Sequence, residues 1–143
     1  MTLIPENLVA ILKANGAMGR RRAASASFDP LPVVKLFNPL GPATWLATEL
    51  DVDGDTLFGL ADLGFGCPEL GSFRLSEISA IRLPFGMRIE RDEHFDGRAP
   101  LSVWADTARR AGMIIAAETI LRRRDKDAAA LTSPGAKDKL PPG

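Results

Sequence analysis

Only one cysteine, Cys67, and one histidine, His94, occur in the 143 residues, and tyrosine is absent. A lone cysteine excludes an intrachain disulfide and a multi-cysteine zinc site. No apolar run approaches the roughly 18 residues that a bilayer span requires, so no membrane association is expected. A secretory leader is not expected either. Glu6, Asn7 and Lys13 interrupt the first apolar stretch, and the basic run Arg20-Arg21-Arg22 follows it instead of preceding it. The cytoplasm is the expected compartment. No cofactor motif is found, and none is expected to be needed.

Net charge is also lacking, with 18 basic side chains against 18 acidic ones. The charges are unevenly placed, however. Residues 1–30 and 101–143 carry a basic excess, while residues 31–100 are acidic overall. Such a chain can meet polyanions only through its ends, and it can equally neutralise itself within one domain. Hydrophobic residues make up 45% and charged residues 25%, the balance of a globular domain with a sizeable core.

Periodicity predicts an N-terminal helix over residues 1–16, with Leu8, Val9, Ile11 and Leu12 as its apolar stripe and Asn15-Gly16 as its stop. Residues 17–30, with three arginines and many small residues, read as a flexible basic linker ending at Asp29-Pro30. A core domain is expected over residues 31–126. Strands are predicted at 33–37, 43–50, 56–62 and 71–75, and a fifth at 86–91. Trp45 and Phe58 are expected to be buried. Alternation places Trp45 and Ala47 on one face of the second strand, with Leu46 and Leu50 on the other. The acidic tip Asp51-Val52-Asp53-Gly54-Asp55 joins the second and third strands as a hairpin. Connections this short exclude crossover helices, so the first four strands form an antiparallel meander.

Ser76 is placed to cap a short helix through Arg82, and Ser102 to cap a helix through Ala111. Gly112 then interrupts, and Met113 to Arg124 form a last helix with Glu118 four residues before Arg122. Residues 127–143 read as a disordered tail. The predicted fold is a single α+β domain, with an antiparallel meander sheet of about five strands and helices on one face.

The stretches Pro32-Val33-Val34-Lys35-Leu36-Phe37-Asn38-Pro39, Ala43-Thr44-Trp45-Leu46 and Phe58-Gly59-Leu60-Ala61-Asp62-Leu63-Gly64-Phe65-Gly66 form a recognisable set. With Cys67-Pro68-Glu69-Leu70-Gly71, Ile89-Glu90-Arg91-Asp92 and His94-Phe95, they resemble an uncharacterised bacterial family, a domain of unknown function. That family is commonly encoded on plasmids and integrative conjugative elements. The resemblance spans roughly residues 31–112. It implies a bacterial, mobile-element setting and supplies no reaction and no catalytic residues.

Several groups carry chemistry of their own. If the fifth strand continues, Glu90, Asp92 and His94 share a face, and Glu49 and Asp62 from the hairpin would join them in an acidic sheet-end cluster. Carboxylates and an imidazole suit a divalent metal and a metal-dependent hydrolase. The opposing reading is a solvated strand end. The Asp51-Asp53-Asp55 tip lacks the glycine and glutamate spacing of a calcium loop and reads as a turn. The loop Gly64 to Gly71 reads as a tight connection presenting Phe65. Cys67 would need a neighbouring base to act as a nucleophile. Arg20, Arg21, Arg22, Arg109, Arg110, Arg122, Arg123 and Arg124 are candidates for phosphate contacts with nucleic acid. The expected function is a non-enzymatic accessory protein of a mobile element acting on an unknown protein partner. Nucleic-acid binding and metal-dependent hydrolysis are the alternatives.

Overall fold

The structure, a computed structural model, describes residues 2–21 and 28–132. Helix α1 spans Glu6–Arg21 and is followed by strands β1 (Val34–Phe37), β2 (Thr44–Leu50), β3 (Thr56–Asp62) and β4 (Glu69–Arg74). A short helix α2 (Leu75–Ala80) leads into a tight turn at Pro84–Gly86 and a two-residue strand β5 (Glu90–Arg91). Helices α3 (Leu101–Ala111) and α4 (Ile114–Thr132) complete the described chain. All pairings are antiparallel, and the strand order is β4-β3-β2-β1-β5. The expected meander is therefore present, and β5 returns to flank β1.

Helices lie on both faces of this sheet, where one covered face was expected. Leu12 of α1 and Ile78 of α2 pack with Val34, Leu36, Trp45, Ala47, Leu50 and Leu57 on one side. On the other side Leu46 and Leu60 meet Trp104 and Ala108 of α3 and Ile114, Ala117 and Leu121 of α4. Strand β2 is the reason. Its residues are buried on both faces, a pattern that demands cover twice. Burial at about 25 cal/mol per Å² makes these two apolar layers the main stabilising term.

Alternation along β2 slips at a bulge between Ala47 and Glu49. The extra residue carries Leu50 to the Trp45 side, correcting the expectation that Leu50 shares a face with Leu46. Phe58, expected in the core, is 37% exposed. It pairs with Glu49 at the bulge, and the α3–α4 layer closes over Leu46 and Leu60 without reaching it.

The stop expected at Asn15-Gly16 is not one, because α1 continues to Arg21. Asn15 Nδ2 donates to Thr48 O in the bulge at 2.9 Å. At Gly16 the helix passes so close to β2 that a methyl group would stand 2.3 Å from Leu50 O. Glycine here permits close approach, not termination. Residues 22–27 of the expected linker and 133–143 of the expected tail lie outside the described residues, whereas 127–132 belong to α4.

The two serines read as helix caps are themselves held by distant aspartates. Asp55, in the β2–β3 hairpin, accepts Ser76 N at 2.7 Å and Ser76 Oγ at 2.7 Å. Asp29 accepts Ser102 N at 3.0 Å and also Ser102 Oγ. In both cases a carboxylate at a helix start satisfies an orphan backbone donor, from far away in sequence.

Candidate functional site

Three segments converge at one end of the sheet: the β1–β2 loop, the β3–β4 loop and the α3–α4 corner. Asp62, fully buried at the end of β3, accepts Gly64 N at 2.9 Å through Oδ1 and Ile114 N at 2.9 Å through Oδ2. One side chain thereby fixes both the start of the β3–β4 loop and the first turn of α4. Gly64 has φ of 91°, and a methyl group on it would stand 2.7 Å from Pro42 Cγ, so the two loops adjoin. On them Leu40, Leu63 and Phe65 are exposed, Phe65 by 83%. The presentation of Phe65 agrees with the sequence reading. Beside it a shallow cleft of about 550 Å³ is lined by Gly66, exposed Cys67, Pro68, Glu69, Leu70 and Arg109. His94 is not among the cleft residues.

The five residues considered for a metal do not meet. Glu49 turns toward α1, where its carboxylate crowds Gly19. Burial pushes its pKa up, against the opposing pull of Arg20. Asp62 faces the other layer at the start of α4. Strand β5 ends at Arg91, and Asp92 turns back to Lys35, with Oδ2 3.5 Å from Nζ. His94 N donates to Asp92 Oδ1 at 2.9 Å, closing a local turn. Glu90 is exposed and lines a separate cleft. Among the described residues no group of three His, Cys, Asp or Glu side chains is arranged to hold a metal ion.

The aspartates of the hairpin tip are engaged within the fold. Asp51 accepts Val52 N at 2.7 Å and pairs with Arg20 at 3.1 Å. Asp53 accepts Asp55 N, Thr56 N and Thr56 Oγ1. The Thr56 hydroxyl above all, with the Thr56 and Asp55 amides, lowers the Asp53 pKa to about 2. Asp55 is likewise held low, chiefly by the hydroxyl and amide of Ser76.

Most of the described candidate arginines have internal partners. Arg20 pairs with Asp51, Arg109 with Asp106 at 3.8 Å, and Arg122 with Glu118 at 3.7 Å, the expected i,i+4 pair. Arg110 Nε donates to Asp106 O. Arg123 and Arg124 are exposed on α4 and make no ion pair among the described residues. Arg21 ends α1, and Arg22 lies outside the described residues.

The turn at Pro84–Gly86 is not expected from the sequence, which predicts a fifth strand beginning at residue 86. Met87 N donates to Pro84 O at 3.2 Å, and Phe85 (φ 62°, ψ 25°) and Gly86 (φ 72°) are both left-handed. Two positive φ values in sequence are the requirement of a type I′ turn, which favours Asn and Gly. Phe85 instead occupies the first position, with its side chain 93% exposed. The signal was an aromatic between Pro and Gly, with an arginine three residues to either side.

Among the described residues no helix is long and apolar enough to cross a membrane. No curated protein and no solved structure matches the chain. A family model does match, over residues 3–115, which takes in α1, the whole sheet, α2, α3 and the first two residues of α4. The chain belongs to the family described as Protein of unknown function (DUF2958).

Proposed function

We propose that this chain is a non-enzymatic accessory protein of a bacterial mobile element, and that it acts by binding a protein partner through the Phe65 end of the sheet. The observation that carries the reading is the exposure of Leu40, Leu63 and Phe65 on two adjoining loops. Apolar side chains grouped on loops of a rigid scaffold suit recognition, and an aromatic is the common anchor of a protein interface. Asp62 holds the loop base, so little ordering cost would fall on binding.

Affinity recovery from a bacterial host, followed by binding measurements with the purified partner, tests this. Recovery should survive nuclease treatment and be lost in Phe65→Asp and Leu63→Asp, both with unchanged melting curves. A partner that binds these variants as well as the parent chain would remove the reading. Nucleic-acid binding is the second reading, favoured by the unpaired Arg123 and Arg124 among the described residues. It predicts affinity that falls steeply with salt and is lost in the Arg123→Ala, Arg124→Ala double variant.

A further inference from the structure

We infer that this chain self-associates as a twofold dimer, with the Phe85 turn of each copy seated in the cleft beside the same turn on the other. Three features of the turn are unfavourable in an isolated chain. A non-glycine residue holds a left-handed backbone at Phe85. The ring is 93% exposed. Arg82 and Arg88 stand opposite each other in an antiparallel bridge, a like-charge pair. None of these serves the core, since Phe85 packs in neither apolar layer. Strain, an exposed aromatic and unrelieved charge in one turn together indicate a contact made elsewhere.

The adjoining surface has the complementary features. A cleft of about 690 Å³ is lined by Leu3, Ile89, Arg88, Glu90, Arg91 and Glu93, among others. Its apolar floor, Leu3 and the buried Ile89, belongs to the α1 side of the core. Its volume falls in the range that accepts a small ring system. At its rim Glu90 and Glu93 make no ion pair among the described residues, and neither does Arg82. Arg88 both closes the turn and lines the cleft, so insert and receptacle share one surface. A surface carrying both halves of a contact side by side is self-complementary about a twofold axis. The axis would bring Arg82 of each copy to the free carboxylates of the other. Arg88 is drawn away from that contact toward Ser79 O at 3.0 Å. A nucleic acid is a poorer occupant, because Glu90 and Glu93 offset Arg88 and Arg91 in the lining and leave no net positive charge to hold a phosphate backbone.

Sedimentation of the full chain from micromolar to millimolar concentration tests the inference. A monomer–dimer equilibrium is expected. Phe85→Asn, which tolerates the left-handed backbone, should weaken it by roughly tenfold or more while leaving the monomer melting temperature unchanged or higher. Arg82→Glu should likewise weaken it, and mixing that variant with the Glu90→Arg, Glu93→Arg chain should restore a mixed dimer. Phe65→Asp should leave the dimer intact, which separates this surface from the one proposed above. A chain that stays monomeric throughout would overturn the inference. So would a dimer indifferent to Phe85→Asn, or an oligonucleotide that binds the parent chain and not Phe85→Asn.

Discussion

The buried carboxylate of Asp62, on β3, accepts the backbone N–H of Ile114 at the start of α4, 52 residues later, at 2.9 Å. Its other oxygen takes the amide of Gly64. Removing the side chain leaves two backbone donors without their partner in and around the core. Asp62→Ala is therefore expected to lower the unfolding free energy by about 2–4 kcal/mol. Urea denaturation checks the size. Hydrogen exchange should show the loss concentrated at residues 63–66 and in the first turn of α4.

Lys35 and Glu118 form the second link between the sheet and α4, with Nζ 2.8 Å from Oε1 and both side chains mostly buried. Glu118 lies beyond the family match, so a charge joins the packing of Ala117 and Leu121 in holding this part of α4 to the matched domain. Glu118→Ala should cost about 1–3 kcal/mol, moderated by Asp92, which remains 3.5 Å from the ammonium. The Lys35→Met, Glu118→Leu pair should recover part of that loss, since an apolar pair avoids desolvating two ions while Asp92 loses its ammonium partner. A double-mutant cycle by thermal or urea unfolding supplies the coupling.

The β2–β3 hairpin was legible because Asp, Gly and Pro turns bound its strands, whereas the fifth strand, expected over 86–91, is only Glu90–Arg91 because the Pro84–Gly86 turn precedes it. β3 runs over Thr56–Asp62 as read, and β2 differs only at its first residue. What the letters could not resolve were features that depend on a distant segment. Gly16 reads alike as a helix stop and as a contact glycine, and only β2 decides between them. Ser76 and Ser102 have the chemistry of caps, yet Asp55 and Asp29 do the capping, from 21 and 73 residues away. The metal cluster failed for a similar reason. Glu49 and Asp62 lie on paired strands, but the bulge and the two helical layers send them to opposite sides. Phe65 was visible as a presented residue. Phe85 was hidden because Pro84 and Gly86 drew the reading toward a boundary.

Acid should weaken the hairpin tip through Asp53. Its folded pKa, about 2, lies below the ordinary 3.8 because the Thr56 hydroxyl and nearby amides bind the charged form. A depressed carboxylate stabilises the fold above its unfolded pKa, and the contribution is lost as pH falls from about 4 toward 2. Melting temperatures across that interval should drop less steeply in Asp53→Asn than in the parent chain. The variant should also be the less stable of the two at neutral pH.

Glu49 should act in the opposite sense. Burial raises its folded pKa above the ordinary 4.5, with Arg20 only partly offsetting the effect. The folded state therefore holds this proton more tightly than the unfolded chain. Stability falls as pH rises from 4.5 through the raised value, and stays lower above it. Glu49→Gln removes the ionisation while keeping the shape. Its melting temperature at pH 7 should equal or exceed that of the parent, and the decline between mildly acidic and neutral pH should flatten. A lower melting temperature at pH 7 would mean that the attraction to Arg20 outweighs burial.

Gly16 offers a test of how α1 is seated on the sheet. In an exposed helix interior, alanine is favoured over glycine by about 1 kcal/mol, and Gly16→Ala would then stabilise the chain. Here the added methyl group meets Leu50 O at 2.3 Å, a backbone atom that cannot rotate away. Moving α1 outward to relieve it would stretch the bond from Asn15 to Thr48 and loosen Leu12 from Trp45 and Leu50. Overpacking of this kind costs about 1–3 kcal/mol, which exceeds the gain in propensity. Gly71 on β4 is the control, because a methyl group there meets nothing within 4 Å and its φ is not positive. Gly71→Ala should be neutral or stabilising, by up to about 1 kcal/mol, through the unfolded chain alone. Urea unfolding of the two variants should therefore move in opposite directions, or leave Gly71→Ala unmoved while Gly16→Ala falls. If Gly16→Ala is the more stable of the two, α1 does not approach β2 as closely as described.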